Sequence, residues 1–215
     1  MSEIYLFSGL GADKRVFENL SIEGYKLNFI EWTEPQKSET IEKYASGIAK
    51  QITTKAPVFI GVSFGGMMAI EVAKFIKPAK LILISSAKSK SEIPFIYKLA
   101  GNLHVHQLIP ASVLKSANPF TYYFFGAKQK KTRQLLKQIL NDTDPAFLKW
   151  AIDKIIKWEN TVVPKNALHI HGSSDKILPL KRLKADIVID AGGHLMIVEQ
   201  AKQISEEIIN ILSED

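Results

Sequence analysis

The sequence contains no cysteine among its 215 residues. This absence excludes a disulfide scaffold, a thiolate metal site and a cysteine nucleophile, and it favours a cytoplasmic setting. No run of 18 apolar residues is present, so we expect no membrane-spanning helix. The first seven residues carry an acid and only a short apolar run, which is not the pattern of a secretory signal peptide. We therefore expect a cytoplasmic protein.

The charge pattern does not point to a macromolecular partner. The formal net charge is +6, and the densest basic cluster comprises Lys128, Lys130, Lys131 and Arg133. Such a cluster can bind nucleic acid or anionic lipid, but no nucleic-acid motif accompanies it, which favours a solvated helix face. Apolar residues make up 46% of the chain, enough for a packed core. We expect no nucleic-acid partner, and the oligomeric state stays open.

Strand-like and helix-like segments alternate along the chain. Short apolar runs occur at 4–7, 25–30, 58–60, 80–84, 167–170 and 187–189. Segments with helical spacing include 40–52, 64–76 and 196–212. Continuous apolar strands joined by helical crossovers favour a parallel sheet that is covered on both faces. We therefore predict one α/β domain over residues 1–215, a three-layer α/β/α sandwich with a mostly parallel sheet of about six strands.

Residues 87–158 interrupt the alternation, because no clear strand pattern occurs within them. Helices are predicted there at 93–100, 110–117, 128–140 and 145–157. The segment follows a predicted strand, so it leaves the sheet at its carboxyl edge, where ligands bind in open parallel sheets. We expect a helical cap over that edge. Its aromatic side chains either line an acyl pocket or pack the cap on the core; the pocket candidates are Phe95, Tyr123, Phe125 and Trp150.

Residues 61–66, with the sequence Gly-Val-Ser-Phe-Gly-Gly, carry the strongest functional signal. They lie between a predicted strand and a predicted helix. A Gly-x-Ser-x-Gly motif in that setting is typical of a nucleophile elbow, a turn so tight that glycine is needed on both sides of the serine. The turn exposes the hydroxyl of Ser63 at a helix N-terminus, where backbone N–H groups favour developing negative charge.

A serine nucleophile needs a base and a group that orients the base. His194 follows the last predicted strand and is preceded by two glycines, and Asp175 follows the strand before it. Both residues should therefore lie at the same sheet edge as Ser63. The order serine, acid, histidine along the chain is that of one hydrolase lineage.

Four segments in this order, 7–13, 61–66, 171–179 and 192–195 together with Glu199, resemble the α/β-hydrolase superfamily, and in particular its small cap-bearing esterases. The resemblance implies Ser63 as nucleophile, His194 as general base and Asp175 as the acid that orients it. It also implies an oxyanion hole formed by the backbone N–H groups of Leu10 and Phe64.

The chain departs from that family in three places. Ser8 stands where many members carry a histidine that supports the oxyanion loop. The two leading antiparallel strands of the family should be missing, because the first predicted strand already leads into the oxyanion loop. The stretch between Asp175 and His194 is short and leaves room for only a brief helix.

Two His-x-His pairs, His104 with His106 and His169 with His171, allow a zinc hypothesis. His104 and His106 have no patterned acids nearby, and His171 already belongs to the segment that carries Asp175. We therefore expect no metal, and the resemblance requires no cofactor. The predicted function is that of a serine hydrolase, which cleaves a small or medium carboxylic ester or a related acyl substrate. The alternatives are thioester, lactone or C–C bond hydrolysis or a lyase reaction on the same residues, and a ligand-binding protein without catalysis.

Overall fold

The sheet has six strands that run in one direction. In the computed structural model, which describes residues 3–102 and 109–213, the strands are β1 (Glu3–Phe7), β2 (Lys26–Phe29), β3 (Val58–Val62), β4 (Lys80–Ile84), β5 (Ala167–Gly172) and β6 (Ile187–Ile189). Their order is β2-β1-β3-β4-β5-β6, and every neighbouring pair is parallel. The predicted parallel sheet of about six strands is confirmed.

The helices of the described residues flank this sheet or lie between β4 and β5. They are α1 (Ile41–Ala49), α2 (Phe64–Val72), α3 (Phe95–Asn102), α4 (Ala111–Leu114), α5 (Pro119–Phe125), α6 (Lys130–Asp142), α7 (Pro145–Ile156), α8 (Met196–Glu199) and α9 (Ala201–Ser213). None of these helices is long and apolar enough to cross a membrane.

Both faces of the sheet are buried, which explains why the strands are apolar without alternation. On one face Tyr5, Phe7 and Phe59 pack with buried residues of α1 and α2. On the other face Ile4, Leu6 and Ile60 pack with α8 and α9 and with the short 3-10 helix Lys14–Phe17. The result is the three-layer sandwich that the sequence predicts.

The strand order reverses direction between β1 and β3. The chain leaves β1 for β2 on one side, and from β3 onward it adds strands on the other side. A crevice forms outside the carboxyl ends of the strands at such a switch point, and it is where open α/β sheets bind ligands. The loops that follow β1, β3, β5 and β6 all emerge at this edge.

Two helical segments differ from the prediction. Helix α5 was not predicted, because its run of aromatic residues has low helix propensity. Its ends nevertheless carry strong signals: the Asn118 side chain accepts from the N–H groups of Phe120 and Thr121, and Gly126 ends the helix with a φ of 69°. The predicted helix at 196–212 is interrupted at Gln200, whose φ and ψ are −126° and 35°.

A buried carboxylate joins α2 to the segment that returns to β5. Glu71 is 1% exposed. It accepts hydrogen bonds from Trp158 Nε1 at 2.8 Å and from Lys74 Nζ at 2.7 Å. A buried charge is tolerated only when such partners replace water. Trp158 thus fixes the end of the β4–β5 connection against α2, the helix that follows Ser63.

Replacing Trp158 by phenylalanine should destabilise the fold more than the same change at Trp150. Trp158→Phe removes a hydrogen bond to a buried charged group, which is worth about 1.5–3 kcal/mol, whereas Trp150 Nε1 donates to the neutral Glu39 carbonyl and should be worth about 0.5–1.5 kcal/mol. Urea unfolding of the two variants measures the difference. Equal losses would show that the bond to Glu71 adds nothing beyond ring packing.

Candidate active site

Ser63 sits in strained backbone between β3 and α2. Its φ of 53° and ψ of −122° are unusual for a residue with a side chain. Hydrogen bonds hold the residue in place on both sides: its N–H donates to the Ile84 carbonyl at 2.9 Å, and its carbonyl accepts from Ser86 Oγ at 2.6 Å. The end of β4 therefore fixes the turn that presents the hydroxyl.

The glycines around Ser63 are required by close backbone approach. A Cβ at Gly61 would lie 2.5 Å from the Cα of Gly66. A Cβ at Gly65 would overlap the carbonyl oxygen of Phe7 on β1. Glycine is thus the residue that allows strand, helix and neighbouring loop to meet here, and the geometry is that of a nucleophile elbow.

Ser63, His194 and Asp175 form a continuous chain of hydrogen bonds. Ser63 Oγ lies 2.8 Å from His194 Nε2, and His194 Nδ1 lies 2.7 Å from Asp175 Oδ2. A carboxylate only accepts, so Nδ1 carries the proton of the neutral imidazole and Nε2 is free to accept from the serine hydroxyl. His194 and Asp175 are 4% and 5% exposed. The three residues that the sequence selects from three separate segments thus meet in the fold.

Asp175 is held as an anion. Burial alone would raise its pKa, but His194 and the N–H of Leu178 outweigh burial and leave the pKa below its ordinary value. Asp175 Oδ1 accepts from the N–H groups of Ile177 and Leu178 at 2.8 and 2.9 Å. The carboxylate is therefore charged and fixed at neutral pH, with Oδ2 directed at His194.

Two other acids near the end of the sheet do not contact His194. Asp186 accepts from the backbone N–H of His169 at 2.8 Å. Asp190 accepts from Ser173 Oγ at 3.3 Å. Asp175 is thus the acid that the fold brings to the histidine.

The loop after β1 passes beside the elbow. A Cβ at Gly9 would lie 3.5 Å from the Cβ of Ser63. In the part of the chain that the structure describes, the backbone N–H groups of Leu10 and Phe64 donate to no protein acceptor. Phe64 is the first residue of α2, where N–H groups lack a partner within the helix. These two groups are therefore available to an anion.

Ser8 holds this loop in place, a role that no sequence pattern predicts. Ser8 Oγ donates to the Ala12 carbonyl at 2.7 Å and accepts from Trp32 Nε1 at 2.8 Å. Thr143 Oγ1 adds a bond to the Gly11 carbonyl at 3.0 Å. A serine and a tryptophan thus support the loop where many α/β-hydrolases carry a histidine. The only sequence signal for Trp32 is an isolated tryptophan just after β2.

A cavity of about 340 Å³ lies beside the same loop. Gly11, Ala12, Trp32, Thr143 and Phe147 line it together with four acids, and neither Ser63 nor His194 is among its lining residues. The acids are Asp13, Glu34, Asp142 and Asp144. The volume of the cavity is at the lower end of the range for small-molecule sites. Sequence patterns did not select Trp32 or Phe147 as cavity residues.

The four aromatic residues expected at a substrate pocket lie in different environments. Phe125 contacts His194, with ring centroids 5.7 Å apart. Trp150 packs on Tyr44, with centroids 4.5 Å apart. Tyr123 and Phe95 are 60% and 67% exposed. Of these four, Phe125 is thus the residue in ring contact with the Ser63–His194–Asp175 chain.

The two His-x-His pairs have different outcomes. His104 and His106 lie outside the described residues. His169 and His171 are fully buried, with His169 Nε2 3.1 Å from His171 Nδ1. Within residues 3–102 and 109–213, no three potential ligand side chains converge as a metal site would require.

Comparisons with known proteins agree in fold. Neither protein-family profiles nor curated protein sequences match the chain. Several solved structures, in contrast, match nearly the whole chain. An esterase from Exiguobacterium antarcticum is 18% identical, with a TM-score of 0.75 over 99% of this chain and 92% of that one. An esterase from Thermogutta terrifontis is also 18% identical, with a TM-score of 0.70 over 99% and 89%.

A third similar structure is a meta-cleavage product hydrolase from Pseudomonas fluorescens. It is 17% identical, with a TM-score of 0.67 over 100% of this chain and 91% of that one. Similarity at this level of identity establishes architecture, while chemistry has to be argued from the site. The resemblance expected from the four sequence segments is confirmed at the level of architecture: the chain has the α/β-hydrolase fold.

Proposed function

We propose that this protein is a serine hydrolase that cleaves a small or medium carboxylic ester, or a related acyl substrate, through an acyl-enzyme intermediate. The observation that carries the proposal is the hydrogen-bonded chain from Ser63 Oγ through His194 to Asp175. A serine hydroxyl is a weak nucleophile by itself, and this arrangement supplies the base and the group that orients the base. The similarity in fold to two esterases supports the same conclusion.

The first half of the reaction forms the acyl-enzyme. Ser63 Oγ attacks the carbonyl carbon as its proton passes to His194 Nε2. Asp175 stabilises the resulting imidazolium, and the N–H groups of Leu10 and Phe64 stabilise the negative oxygen of the tetrahedral intermediate. His194 then gives the proton to the leaving alcohol as the C–O bond breaks.

The second half releases the acid. His194 removes a proton from water, the water oxygen attacks the acyl carbon, and the same two N–H groups bind the oxygen that becomes negative. The proton then returns from His194 to Ser63 Oγ, and the carboxylic acid leaves. Proton transfer and charge stabilisation by these residues account for both halves, so the proposed reaction needs no cofactor.

We place the substrate under a cap formed by residues 87–158. Helices α3 to α7 all belong to this segment, which leaves the sheet at the carboxyl edge of β4. Phe125 at the end of α5 faces the His194 ring, and Phe147 of α7 lines the cavity beside the loop after β1. Aromatic side chains in such a cover exclude water and can contact an acyl chain.

The same residues can serve other acyl chemistry. Thioester, lactone and C–C bond cleavage use an equivalent nucleophile and oxyanion site, and a meta-cleavage product hydrolase is among the structures with this fold. A protein that binds an acyl ligand without catalysis is the alternative from another class. Reaction of Ser63 with a fluorophosphonate separates that alternative from all hydrolytic ones, because labelling requires an activated serine.

Ser63→Ala should abolish ester hydrolysis and leave the fold intact, because alanine removes only the hydroxyl. The expected loss of kcat/KM on p-nitrophenyl acetate is on the order of 10⁴- to 10⁶-fold. Ser112→Ala, an exposed serine on α4, is the matched control and should keep wild-type activity and fluorophosphonate labelling. Activity of the Ser63 variant within about tenfold of wild type would contradict the proposal, since triad loss costs far more.

Asp175→Asn should lower turnover by about 10⁴-fold, because the amide favours the wrong tautomer and orientation of His194. Asp190→Asn is the matched control, because Asp190 precedes the loop that carries His194 but contacts Ser173. Stopped-flow or plate assays on one ester measure both variants. A larger loss in the Asp190 variant would show that the acid is wrongly assigned.

Phe125→Leu should change the preference among C2, C4 and C8 esters, because the ring beside His194 then leaves space for the acyl chain. Where the fit is tight, one methylene is worth about 1–3 kcal/mol of discrimination. Phe120→Leu is the matched control on the same helix, since Phe120 is 77% exposed. If both variants keep the wild-type ratio of kcat/KM among the three esters, α5 does not contact the acyl group.

A further inference from the structure

Behind the acid of the active site lies a pair of buried histidines on β5. His169 and His171 are both fully buried, and they are two residues apart on one strand. Side chains at this spacing point to the same face of a sheet. Imidazole rings in a packed interior are costly unless hydrogen bonds replace their water. The hydrogen bonds of His171 thus explain how a polar ring is accommodated at this buried position of β5.

The hydrogen bonds of His171 define its tautomer. Its Nε2 lies 2.8 Å from the Leu178 carbonyl oxygen, and its Nδ1 lies 3.1 Å from His169 Nε2. A carbonyl oxygen only accepts, so Nε2 carries the proton. Burial lowers the pKa of His171 and lowers that of His169 to about 3, so both rings are neutral at neutral pH. His171 Nδ1 then accepts, and His169 Nε2 donates to it.

His171 and Asp175 hold the same residue from two sides. Leu178 donates its N–H to Asp175 Oδ1 at 2.9 Å, and its carbonyl accepts from His171. His171 Nε2 also lies 3.4 Å from Asp175 Oδ2, the oxygen that faces His194. The histidine, the acid and the backbone of Leu178 thus form a closed ring of polar contacts. Displacing His171 would remove one of the bonds that hold the segment 175–178.

We propose that His171 is a positioning residue for the reaction: its Nε2–H, bonded to the Leu178 carbonyl, fixes the loop that directs Asp175 at His194, and His169 holds His171 in the required tautomer. This inference rests on the proposed hydrolase function, because it assigns His171 a role in the geometry of that site. The competing explanation is that the two rings only fill space between β5 and the loop. The two explanations differ in what they predict for the Asp175–His194 bond.

The first test uses the wild-type protein and does not depend on activity. Nitrogen-15 NMR of the histidine rings should show His171 protonated at Nε2 and unprotonated at Nδ1, with chemical shifts that do not change through neutral pH. The His171 signals are assigned by their absence from the spectrum of His171→Gln. The Nδ1 proton of His194 should give a far-downfield signal, as a proton shared with a buried carboxylate does. A His171 ring protonated at Nδ1 would overturn the proposal, since it could not donate to Leu178.

The second test compares variants that differ in the donor. His171→Leu keeps the bulk but has no N–H, whereas the amide of His171→Gln can donate to the Leu178 carbonyl. We expect His171→Leu to lower kcat by about 10- to 100-fold with little change in KM, the cost of a misplacement of about 1 Å. His171→Gln should recover most of that loss, and the His194 Nδ1 proton signal should weaken in the first variant and persist in the second.

Ile170→Ala is the control for destabilisation of β5, because Ile170 is fully buried on the opposite face of the sheet, in a cluster that includes none of residues 175–178. It should lower the melting temperature while keeping kcat per titrated active site. If His171→Leu behaves like Ile170→Ala in kcat and in the His194 signal, His171 only fills space and the proposal fails. If His171→Leu does not fold, the wild-type tautomer and the rate of His171→Gln still decide the matter.

Failure of the proposed function is distinguishable from failure of this inference. A wild-type protein that hydrolyses no ester and takes no fluorophosphonate label would contradict the hydrolase assignment. The tautomer of His171 and the His194 Nδ1 signal would still be measured in that protein. Conversely, if the wild type is active and His171→Leu keeps its kcat and its His194 Nδ1 signal, only the positioning role of His171 is contradicted.

Discussion

The arrangement of the candidate site depends on the tight turn at Ser63. A φ of 53° at a serine persists only where the surroundings impose it. Here the last residue of β4 accepts from the N–H of Ser63, and Ser86 just after β4 donates to its carbonyl. The turn brings β1, β3 and α2 so close together that a side chain at position 61 or 65 would overlap neighbouring backbone atoms. Glycine at 61 and 65 follows from that approach, and so does the complete burial of α2. The positions of the Ser63 hydroxyl, of the Phe64 N–H and of the loop after β1 all follow from this one backbone geometry.

Much of the site could be predicted from sequence because its signals are local. Residues 61–66 carry the glycines that the turn requires, and the loops with Asp175 and His194 each follow an apolar strand. Parallel strands bring such loops to one edge, so three separate segments could be expected to meet. The catalytic roles themselves stay predictions that the proposed experiments test. The sheet was predictable for the same reason, since continuous apolar runs need cover on both faces.

The remaining features depend on contacts between distant segments. Support of the loop after β1 comes from Ser8 and Trp32, which are 24 positions apart, and no spacing rule connects them. The role of His171 depends on the tautomer that the Leu178 carbonyl imposes. Helix α5 was missed because aromatic residues weaken the pattern, although Asn118 and Gly126 mark its ends. In each case a hydrogen bond, and not a hydrophobic period, determines the local structure.

The connection between β4 and β5 is hydrogen-bonded to the loops that carry Asp175 and His194 and to the helix that follows His194. The N–H of Leu195 donates to the Phe125 carbonyl at 2.9 Å, and a Cβ at Gly126 would lie 2.9 Å from the Cα of Gly193. Glu199 accepts from the N–H groups of Lys128 and Gln129 at the start of α6. On the acid side, Tyr97 of α3 donates to the Ile177 carbonyl at 3.1 Å.

Helices α3 and α5 thus contact the loops of Asp175 and His194 directly. Because these contacts include the residues next to His194 and within the 175–178 segment, movement of the helices cannot leave the two loops unaffected. The placement of Asp175 therefore depends on three supports: its own N–H donors, the histidines of β5 and Tyr97 of α3. The orientation of His194 toward Ser63 is the common result of these supports, which come from separate parts of the chain.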